Sequence, residues 1–409
     1  RLASGLSRPG TRSRRPALAD SPQPRPSGGQ RRWMRLSDYA VGRDNNFNLI
    51  RFLAALSVLF GHSVGVLGLP SAYEFFFDHL GLSLAEMAVD VFFVASGFLV
   101  TASLINRGNL IAFLWARVLR IYPALWVMLV LTVFVLAPAL TTLPLADFFS
   151  APKTWEYFAK CATVLGGVRY SLPGVFETMP LKGEFNGSLW TLPIEFRLYL
   201  YLAAGWFVFA LTPTIRVRAL TVLAPLATAA FLGLILEGRF FAAAFNVADI
   251  RIFMFLAGSS LYLLRDHVPM GRGFLFAALA CLAMASFNKS AFFVAYLLLL
   301  APLVLHLAYL PKGRILAFNG SGDFSYGVYI YAFPIQQTLA FLFPGLGLVA
   351  LIAVAAPITI GVAALSWVLI EKRALALKDG AAAATSRAFN LSLAKFAGGV
   401  PSPRSRGEG

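Results

Sequence analysis

Ten apolar segments recur along the chain, and polar stretches separate them. Each segment approaches the ~20 residues that a helix needs to cross the hydrocarbon core of a bilayer, which is roughly 30 Å thick. The pattern therefore predicts an all-α fold, a polytopic integral membrane helical bundle of about ten transmembrane helices. The predicted helices lie at about 47–69, 84–105, 121–142, 192–211, 219–236, 249–264, 273–288, 292–309, 325–343 and 348–370.

Basic side chains indicate how these helices are oriented. Ten arginines precede the first apolar segment, and cytoplasmic loops of membrane proteins carry the excess of Lys and Arg. Both termini are therefore predicted to be cytoplasmic, and the loop with Glu74 and Asp78 is predicted to lie outside. Ten crossings place these basic residues inside: Arg107, Arg117, Arg120, Arg216, Arg218, Arg265, Arg272, Lys312, Arg314, Lys372 and Arg373.

The segment 143–191 breaks the pattern, since it is long and rich in Pro and Gly. Its stretch WEYFAKCATVLGG is too short and too polar to cross comfortably. A crossing there would also turn the downstream basic loops outward. We expect a re-entrant or interfacial helix instead.

The composition is not that of a soluble enzyme. The 409 residues are 58% hydrophobic and 13% charged, with a mean hydropathy of +0.71, whereas a soluble domain carries roughly 25% charged residues. The net charge of +16 resides in tails and short loops, so we expect no nucleic-acid partner. Three regions are predicted: a disordered basic tail at 1–44, a membrane domain at 45–377 and a disordered tail at 378–409.

An arginine and a histidine stand in the first apolar segment, at Arg51 and His62. The spacing of 11 residues returns a helix to nearly the same face, ~16 Å further along its axis. Ionisable groups are costly within a bilayer and usually mark a functional site. We therefore predict that both side chains point into one cavity. The alternative is a histidine merely bonded to a neighbouring helix.

The second and third apolar segments add further candidates. Asp90 needs a cation, a hydrogen bond or a water cavity, and Gly97 would let a helix or a ligand approach closely. Arg117 and Arg120 lie one turn apart at the predicted start of the third helix. Arginine forks suit phosphates. Anchoring under the positive-inside rule would place them there as well, so both interpretations stay open.

A polar cluster precedes the fourth segment, in the stretch EFNGSLWTLPIEF. An aromatic ring beside hydrogen-bonding groups and a carboxylate is typical of a sugar site. We take Ser188, Trp190 and Glu195 as candidate substrate-binding residues. The alternative is an interfacial tryptophan at a capped helix start, but a carboxylate inside the apolar run argues against it.

Other patterns are set aside. Ser63 fits the G-x-S-x-G pattern, but it stands within a predicted helix rather than at a strand-to-helix turn. Cys161 and Cys281 lie far apart without the spacing of metal ligands, so we predict no zinc site and no disulfide framework. Glu371, beside two basic residues, is interpreted as an anchor, and His306 as structural.

Taken together, these stretches resemble the membrane acyltransferase-3 family, the O-acetyltransferases of bacterial surface polysaccharides and oligosaccharides. The likeness covers roughly residues 45–375. Ala95 stands where leucine is usual, and Phe333 stands where many relatives carry a histidine, so no role is transferred to Phe333. The family's motifs fall on Arg51 and His62, on Asp90 to Phe98, on Arg117 and Arg120, and on Ser188 to Glu195.

The resemblance implies an acyl-CoA donor, usually acetyl-CoA, a saccharide or lipid-linked glycan acceptor, and the bacterial inner membrane as location. No metal is expected. His62, as general base, Arg51 and Asp90 are the predicted catalytic residues, while Arg117 and Arg120 would bind the acyl-CoA. A covalent acyl-histidine relay stays open. The alternative function is a transporter or flippase of a lipid-linked glycan, although no internal repeat is visible.

Overall fold

The computed structural model describes residues 34–42, 44–70, 73, 75–208, 212–242 and 246–398. Within these residues the chain is helical, with two isolated β-bridges and no β-strand. A helix occupies each of the ten apolar segments, which confirms the all-α prediction for this part of the chain. The helices are α1 Phe47–Val66, α2 Leu84–Arg107, α3 Leu110–Leu131, α4 Thr191–Val208, α5 Pro213–Phe240, α6 Val247–Leu263, α7 Arg272–Ala285, α8 Lys289–Tyr309, α9 Ser325–Leu342, α10 Leu348–Ser366 and, after these, α11 Lys378–Gly398.

Six helical stretches of the described chain are long and apolar enough to cross a membrane. They identify a multi-pass membrane protein, while the count of ten crossings and the cytoplasmic position of both termini stay predictions. The six stretches are Phe47–Val66, Leu84–Arg107, Leu110–Leu140, Thr214–Phe240, Lys289–Tyr309 and Leu348–Ala388.

The third helix begins earlier than predicted. The side-chain oxygen of Asn109 accepts a hydrogen bond from the backbone N–H of Ala112 at 3.0 Å, and the helix runs from Leu110. Arg117 and Arg120 therefore lie within α3 rather than ahead of it. Hydropathy misplaced the start, because it registers the polarity of a residue and not the cavity that the residue faces.

The predicted tails differ from the structure where the structure describes them. Leu36–Tyr39 forms a short helix, and Leu36 is buried with its N–H bonded to the loop between α6 and α7. α11 occupies residues assigned to the C-terminal tail, whose run of alanines favours a helix. The predictions of disorder at 1–33 and 399–409 concern residues outside the described part of the chain, as does the predicted position of Glu74.

α2 and α6 cross at two glycines. A Cβ atom on Gly97 would overlap the carbonyl oxygen of Phe255, and one on Gly258 would overlap that of Val94. Small residues let membrane helices approach closely where lipid provides no hydrophobic driving force. The neighbour that Gly97 admits is therefore a helix.

The same two helices run in parallel. Three hydrogen bonds join the two helices, and the bonded residues advance along both helices in the same direction. The pairs are Asp90–Arg251, Thr101–Ser259 and Asn106–Tyr262. If α2 and α6 both cross the bilayer, they cross it in the same direction, because they are parallel. An even number of crossings then separates the start of α2 from the start of α6.

The segment 143–191 contains short helices. Its longest, Pro152–Thr163, has 12 residues and is about 18 Å long, too short to cross a membrane. This agrees with the prediction that the segment does not cross. It ends in the 3-10 turn Gly187–Trp190, which leads directly into α4.

Candidate active site

Two cavities lie between the helices and share Val89 of α2 in their walls. The first, here named the basic cavity, has a volume of about 310 Å³. The second, named the histidine cavity, has a volume of about 490 Å³. The charged residues of the basic cavity are Arg51, Arg107, Arg117, Arg120, Lys378, Glu195 and Asp323. The polar and aromatic residues that line the histidine cavity are His62, Phe77, Ser83, Glu86, Trp190 and Arg251.

Arg51 and His62 open into different cavities. Arg51 lines the basic cavity and His62 lines the histidine cavity, so the prediction of one shared cavity was wrong. Eleven residues restore the angular position on a helix, but they also add ~16 Å of rise. That rise carries His62 past the basic cavity.

Asp323 joins two arginines from different helices. Its Oδ2 lies 2.5 Å from Nη1 of Arg51 and 2.7 Å from Nη2 of Arg120, and Ser325 donates a hydrogen bond to Oδ1 at 2.6 Å. Burial alone would raise the pKa of the Asp323 carboxyl. The guanidinium groups of Arg120 and Arg51 outweigh burial and hold that pKa well below its usual value. The carboxylate thus stays charged at neutral pH and fixes both arginines.

Glu371 is a buried partner of Arg120 rather than a surface anchor. After α10 the chain continues through a π-turn at Trp367–Glu371, which leaves Glu371 1% exposed. Its Oε2 lies 3.4 Å from Nη1 of Arg120, and Ser366 donates to Oε1 at 3.3 Å. The anchor interpretation was wrong because the basic neighbours are exposed while the wide turn directs Glu371 inward.

Arg117 shares the basic cavity with the carboxylate of Glu195 but does not form an ion pair with it. Its Nε is buried without a hydrogen-bond partner, and it forms no ion pair with any residue that the structure describes. The guanidinium lies 5.8 Å from the centre of the Tyr199 ring and 5.9 Å from that of Phe113. A fixed guanidinium with an open donor at a cavity wall suits an anion. The basic cavity therefore has the chemistry of an anion site.

Two of the three predicted substrate-binding residues line different cavities, and the third, Ser188, lines neither of them. Glu195 lines the basic cavity, where it accepts hydrogen bonds from Ser96, at 3.0 Å, and from Tyr199. Trp190 lines the histidine cavity. The spacing of five residues turns a helical side chain by about 140°, so Trp190 and Glu195 do not share a face. The substrate-binding roles of Trp190 and Glu195 stay predictions, now assigned to two different cavities.

Ser188 lies against His62. Its Oγ is 3.4 Å from Nδ1 of His62. The carbonyl oxygen of Ser188 accepts a hydrogen bond from Tyr329 at 2.9 Å, and Asn186 donates to the carbonyl of Ile330 at 2.9 Å. α9 thus holds the turn that presents Ser188 to the imidazole. A hydroxyl at Nδ1 leaves Nε2 as the ring nitrogen for other chemistry.

Asp90 lies behind the histidine cavity rather than in its wall. Its Oδ1 is 2.6 Å from Nη1 of Arg251, both side chains are at most 1% exposed, and Tyr296 donates to Oδ2 at 2.7 Å. Asp90 is thus the partner of Arg251, and its predicted catalytic role stays a prediction. Arg251 was missed, although a lone arginine inside an apolar segment was the signal that could have found it.

The fold and these cavities define a multi-pass helical membrane protein with a candidate active site between its helices. Comparison with known families goes further. The acyltransferase-3 family, described as "Acyltransferase domain", matches residues 44–371. The chain belongs to this family and is an acyltransferase.

Two relatives cover nearly the same length. An "O-acetyl transferase" of Shigella phage Sf6 is 29% identical over 347 residues, which span 81% of this chain and 96% of the relative. "Nodulation protein 10" of Rhizobium leguminosarum bv. viciae is 28% identical over 375 residues, which span 84% of this chain and 96% of the relative. No solved structure matches the chain. The family and the name of the phage relative support an O-acetyltransferase.

Proposed function

We propose that this protein transfers an acyl group, most simply acetyl, from acyl-CoA to a hydroxyl of a cell-surface or exported saccharide. The observation that carries the proposal is the wall shared at Val89 by the basic cavity and the histidine cavity. A donor held in one cavity has its thioester next to an acceptor held in the other. The proposed location is the inner membrane of a bacterium, with both termini cytoplasmic.

In this proposal the basic cavity binds the phosphate groups of acyl-CoA. Arg117 offers the free positive charge, because Arg51 and Arg120 already share the carboxylate of Asp323. A guanidinium binds phosphate through two parallel hydrogen bonds, which a lysine does not reproduce. Arg51 and Arg120 then act as the fixed wall against which the donor is placed.

His62 is the proposed general base. The oxygen of the acceptor hydroxyl attacks the carbonyl carbon of the thioester while His62 takes the hydroxyl proton. A C–O bond forms, the C–S bond breaks, and the CoA thiolate leaves and is protonated. Ser188 at Nδ1 orients the ring. Exclusion of water by the surrounding helices limits wasteful hydrolysis of the thioester.

The experiment compares the wild-type protein with His62→Ala, each purified in lipid with radiolabelled acetyl-CoA and a cell-envelope glycan extract. Loss of the thioester and label in the glycan are followed together. Removal of a general base typically lowers the rate by ~10²–10⁴-fold, so we expect His62→Ala to lose nearly all transfer while it still inserts and folds.

His306→Ala is the matched control. His306 is also buried within a helix, where its ring stacks on Phe274 at 4.6 Å and Nδ1 lies 2.7 Å from the carbonyl of Pro302, but it lines neither cavity. We expect near wild-type transfer from it. Normal transfer by a folded His62→Ala protein would exclude His62 as base. No thioester loss from the folded wild type would favour a transporter.

A further inference from the structure

Two donor nitrogens of Arg251 have no hydrogen-bond partner in the described part of the chain. The side chain is 1% exposed and lines the histidine cavity. Nη1 donates a hydrogen bond to Asp90 at 2.6 Å, but Nε and Nη2 are buried and have no hydrogen-bond partner among the described residues. Buried donors in folded proteins nearly always have a partner, from the protein, from water or from a ligand. Two open donors of one guanidinium at a cavity wall therefore point to a ligand with paired oxygen atoms.

Trp190 forms the adjoining part of the same wall. The guanidinium carbon of Arg251 lies 5.6 Å from the centre of the indole ring, and both residues line the histidine cavity. An indole gives an apolar face and the guanidinium gives directional donors. A ligand with C–H groups on one face and hydroxyl groups at its edge matches both.

The charges of this cavity select against an anion. The charge of Arg251 is compensated by Asp90. Glu86 accepts hydrogen bonds at Oε2 from the backbone N–H and the hydroxyl of Ser83, at 2.8 and 2.9 Å, and forms no ion pair within the described part of the chain. An anionic ligand would be desolvated here without a free cation and beside a carboxylate, which is costly. The basic cavity differs, because Arg117 there provides a guanidinium without an ion-pair partner among the described residues.

We propose that the histidine cavity binds an uncharged sugar unit and that Arg251 donates hydrogen bonds from Nε and Nη2 to its oxygen atoms. This inference rests on the proposed acyl transfer and adds the class of acceptor and the residue that orients it. Asp90 is the positioning residue that holds the guanidinium, and Tyr296 in turn donates to Asp90. Sugars bearing carboxylate or phosphate at the acetylated unit are excluded.

The test uses Arg251→Lys, which keeps a positive charge beside Asp90 but loses the planar fork. Arg239→Lys is the matched control, because Arg239 lies over the Phe293 ring at 5.5 Å and lines neither cavity. The rate of thioester loss without acceptor measures the function of the donor site. The rate of label transfer across a range of glycan-extract concentrations gives the KM for the acceptor. Fragmentation mass spectrometry of the labelled glycan identifies the acetylated unit.

We expect R251K to raise the acceptor KM by about 10- to 100-fold, as expected for lost charge-assisted hydrogen bonds, while the rate of thioester loss without acceptor stays at the wild-type value. We expect R239K to match the wild type in both measurements. Acetyl on an uncharged unit supports the inference. Acetyl on a uronic or phosphorylated unit overturns it, as does an unchanged KM or an equal fall of both rates in R251K. A wild-type protein that neither consumes acetyl-CoA nor transfers the label to glycan overturns the proposed function itself.

If R251K fails to fold, the paired variant Asp90→Leu/Arg251→Met removes both buried charges together, a change that helical proteins tolerate better than the loss of one. The same rise in acceptor KM is then expected from the double variant. Wild-type transfer by the double variant would overturn the role of Arg251.

Discussion

Arg117 and Arg120 lie one turn apart on α3, yet their surroundings differ. Arg120 contacts both Asp323 and Glu371. Arg117 forms no ion pair in the described part of the chain and lies against aromatic rings. A guanidinium held between carboxylates has little attraction left for an anion, whereas an unpaired one at a cavity wall retains it. The donor phosphate is therefore expected at Arg117.

Arg117→Gln should raise the KM for acyl-CoA by about 10- to 100-fold, because a hydrogen bond to a charged group contributes ~1.5–3 kcal/mol. Arg107→Gln is the control: Arg107 lines the same cavity, but it pairs with the exposed Asp379 at 3.5 Å and should contribute little. Initial rates of thioester loss across acetyl-CoA concentrations measure both. Equal KM values for the two variants would contradict the assignment.

Candidate residues were visible in the sequence where an ionisable group stands within or beside an apolar run. His62 lies within such a run, and Arg117 and Arg120 lie just before the predicted third segment. Each lines a cavity, while the role of each stays a prediction. Asp323 did not, because it lies in a polar loop and its arginine partners are 272 and 203 residues away. A periodic pattern reports the surroundings of a residue along its own helix, not which distant charges meet.

The crossing of α2 and α6 determines where the polar residues of both helices lie. In each helix the glycine of the crossing follows the charged residue by seven positions, Gly97 after Asp90 and Gly258 after Arg251. Seven residues are about two helical turns, so close approach at the glycines also brings the charges together. The small residues therefore support the ion pair as well as the packing.

Gly97→Ala should destabilise the protein by about 1–3 kcal/mol, the usual range for overpacking, because the new methyl group would overlap the carbonyl oxygen of Phe255. Gly233→Ala in α5 is the control: no described residue has an atom within 4 Å of its Cβ position, and alanine favours a helix over glycine by up to ~1 kcal/mol. Thermal unfolding in detergent compares the two. Unfolding of G97A at or above the wild-type temperature would show that the crossing is not tightly packed.

Helices were the most predictable elements, because an apolar run of sufficient length has few alternatives in a bilayer. Their ends were less predictable. The start of α3 was misplaced by the arginines that face the basic cavity, and α11 was missed because its small and polar residues resemble those of a disordered tail. In both cases the contacts of the residues, rather than their polarity, determine the structure.

At the scale of the whole molecule, the parallel arrangement of α2 and α6 constrains the topology. It requires the chain between them to return to the side on which α2 starts. Crossings by α3, α4 and α5 complete that return only if segment 143–191 does not cross. The parallel pair is therefore compatible with the predicted ten-crossing arrangement, in which the basic loops share one face of the membrane.

Single cysteines test the arrangement around α9, which is not among the six long apolar stretches. In a Cys281→Ser background, which removes the exposed thiol, Ser321→Cys should react with an impermeant maleimide only after permeabilisation. Phe343→Cys, at the other end of the helix, should react in intact spheroplasts. Both side chains are exposed. Labelling of both from the same side would exclude a crossing by α9.

The division of the site into two cavities was not predictable from one sequence. It depends on where the neighbouring helices pack along the part of α1 between Arg51 and His62. The spacing of these two residues in the sequence gives their angular separation and their rise along the helix axis. It does not give the position of Val89, where the walls meet.

The buried pair of Asp90 and Arg251 also has an evolutionary consequence. Removing one partner of a buried ion pair leaves an uncompensated charge and costs about 3–5 kcal/mol, whereas exchanging both for apolar residues is often tolerated. Neither position can drift alone. An alignment of homologues should show the two positions changing together. Homologues that have lost both charges should be those that acylate a different acceptor.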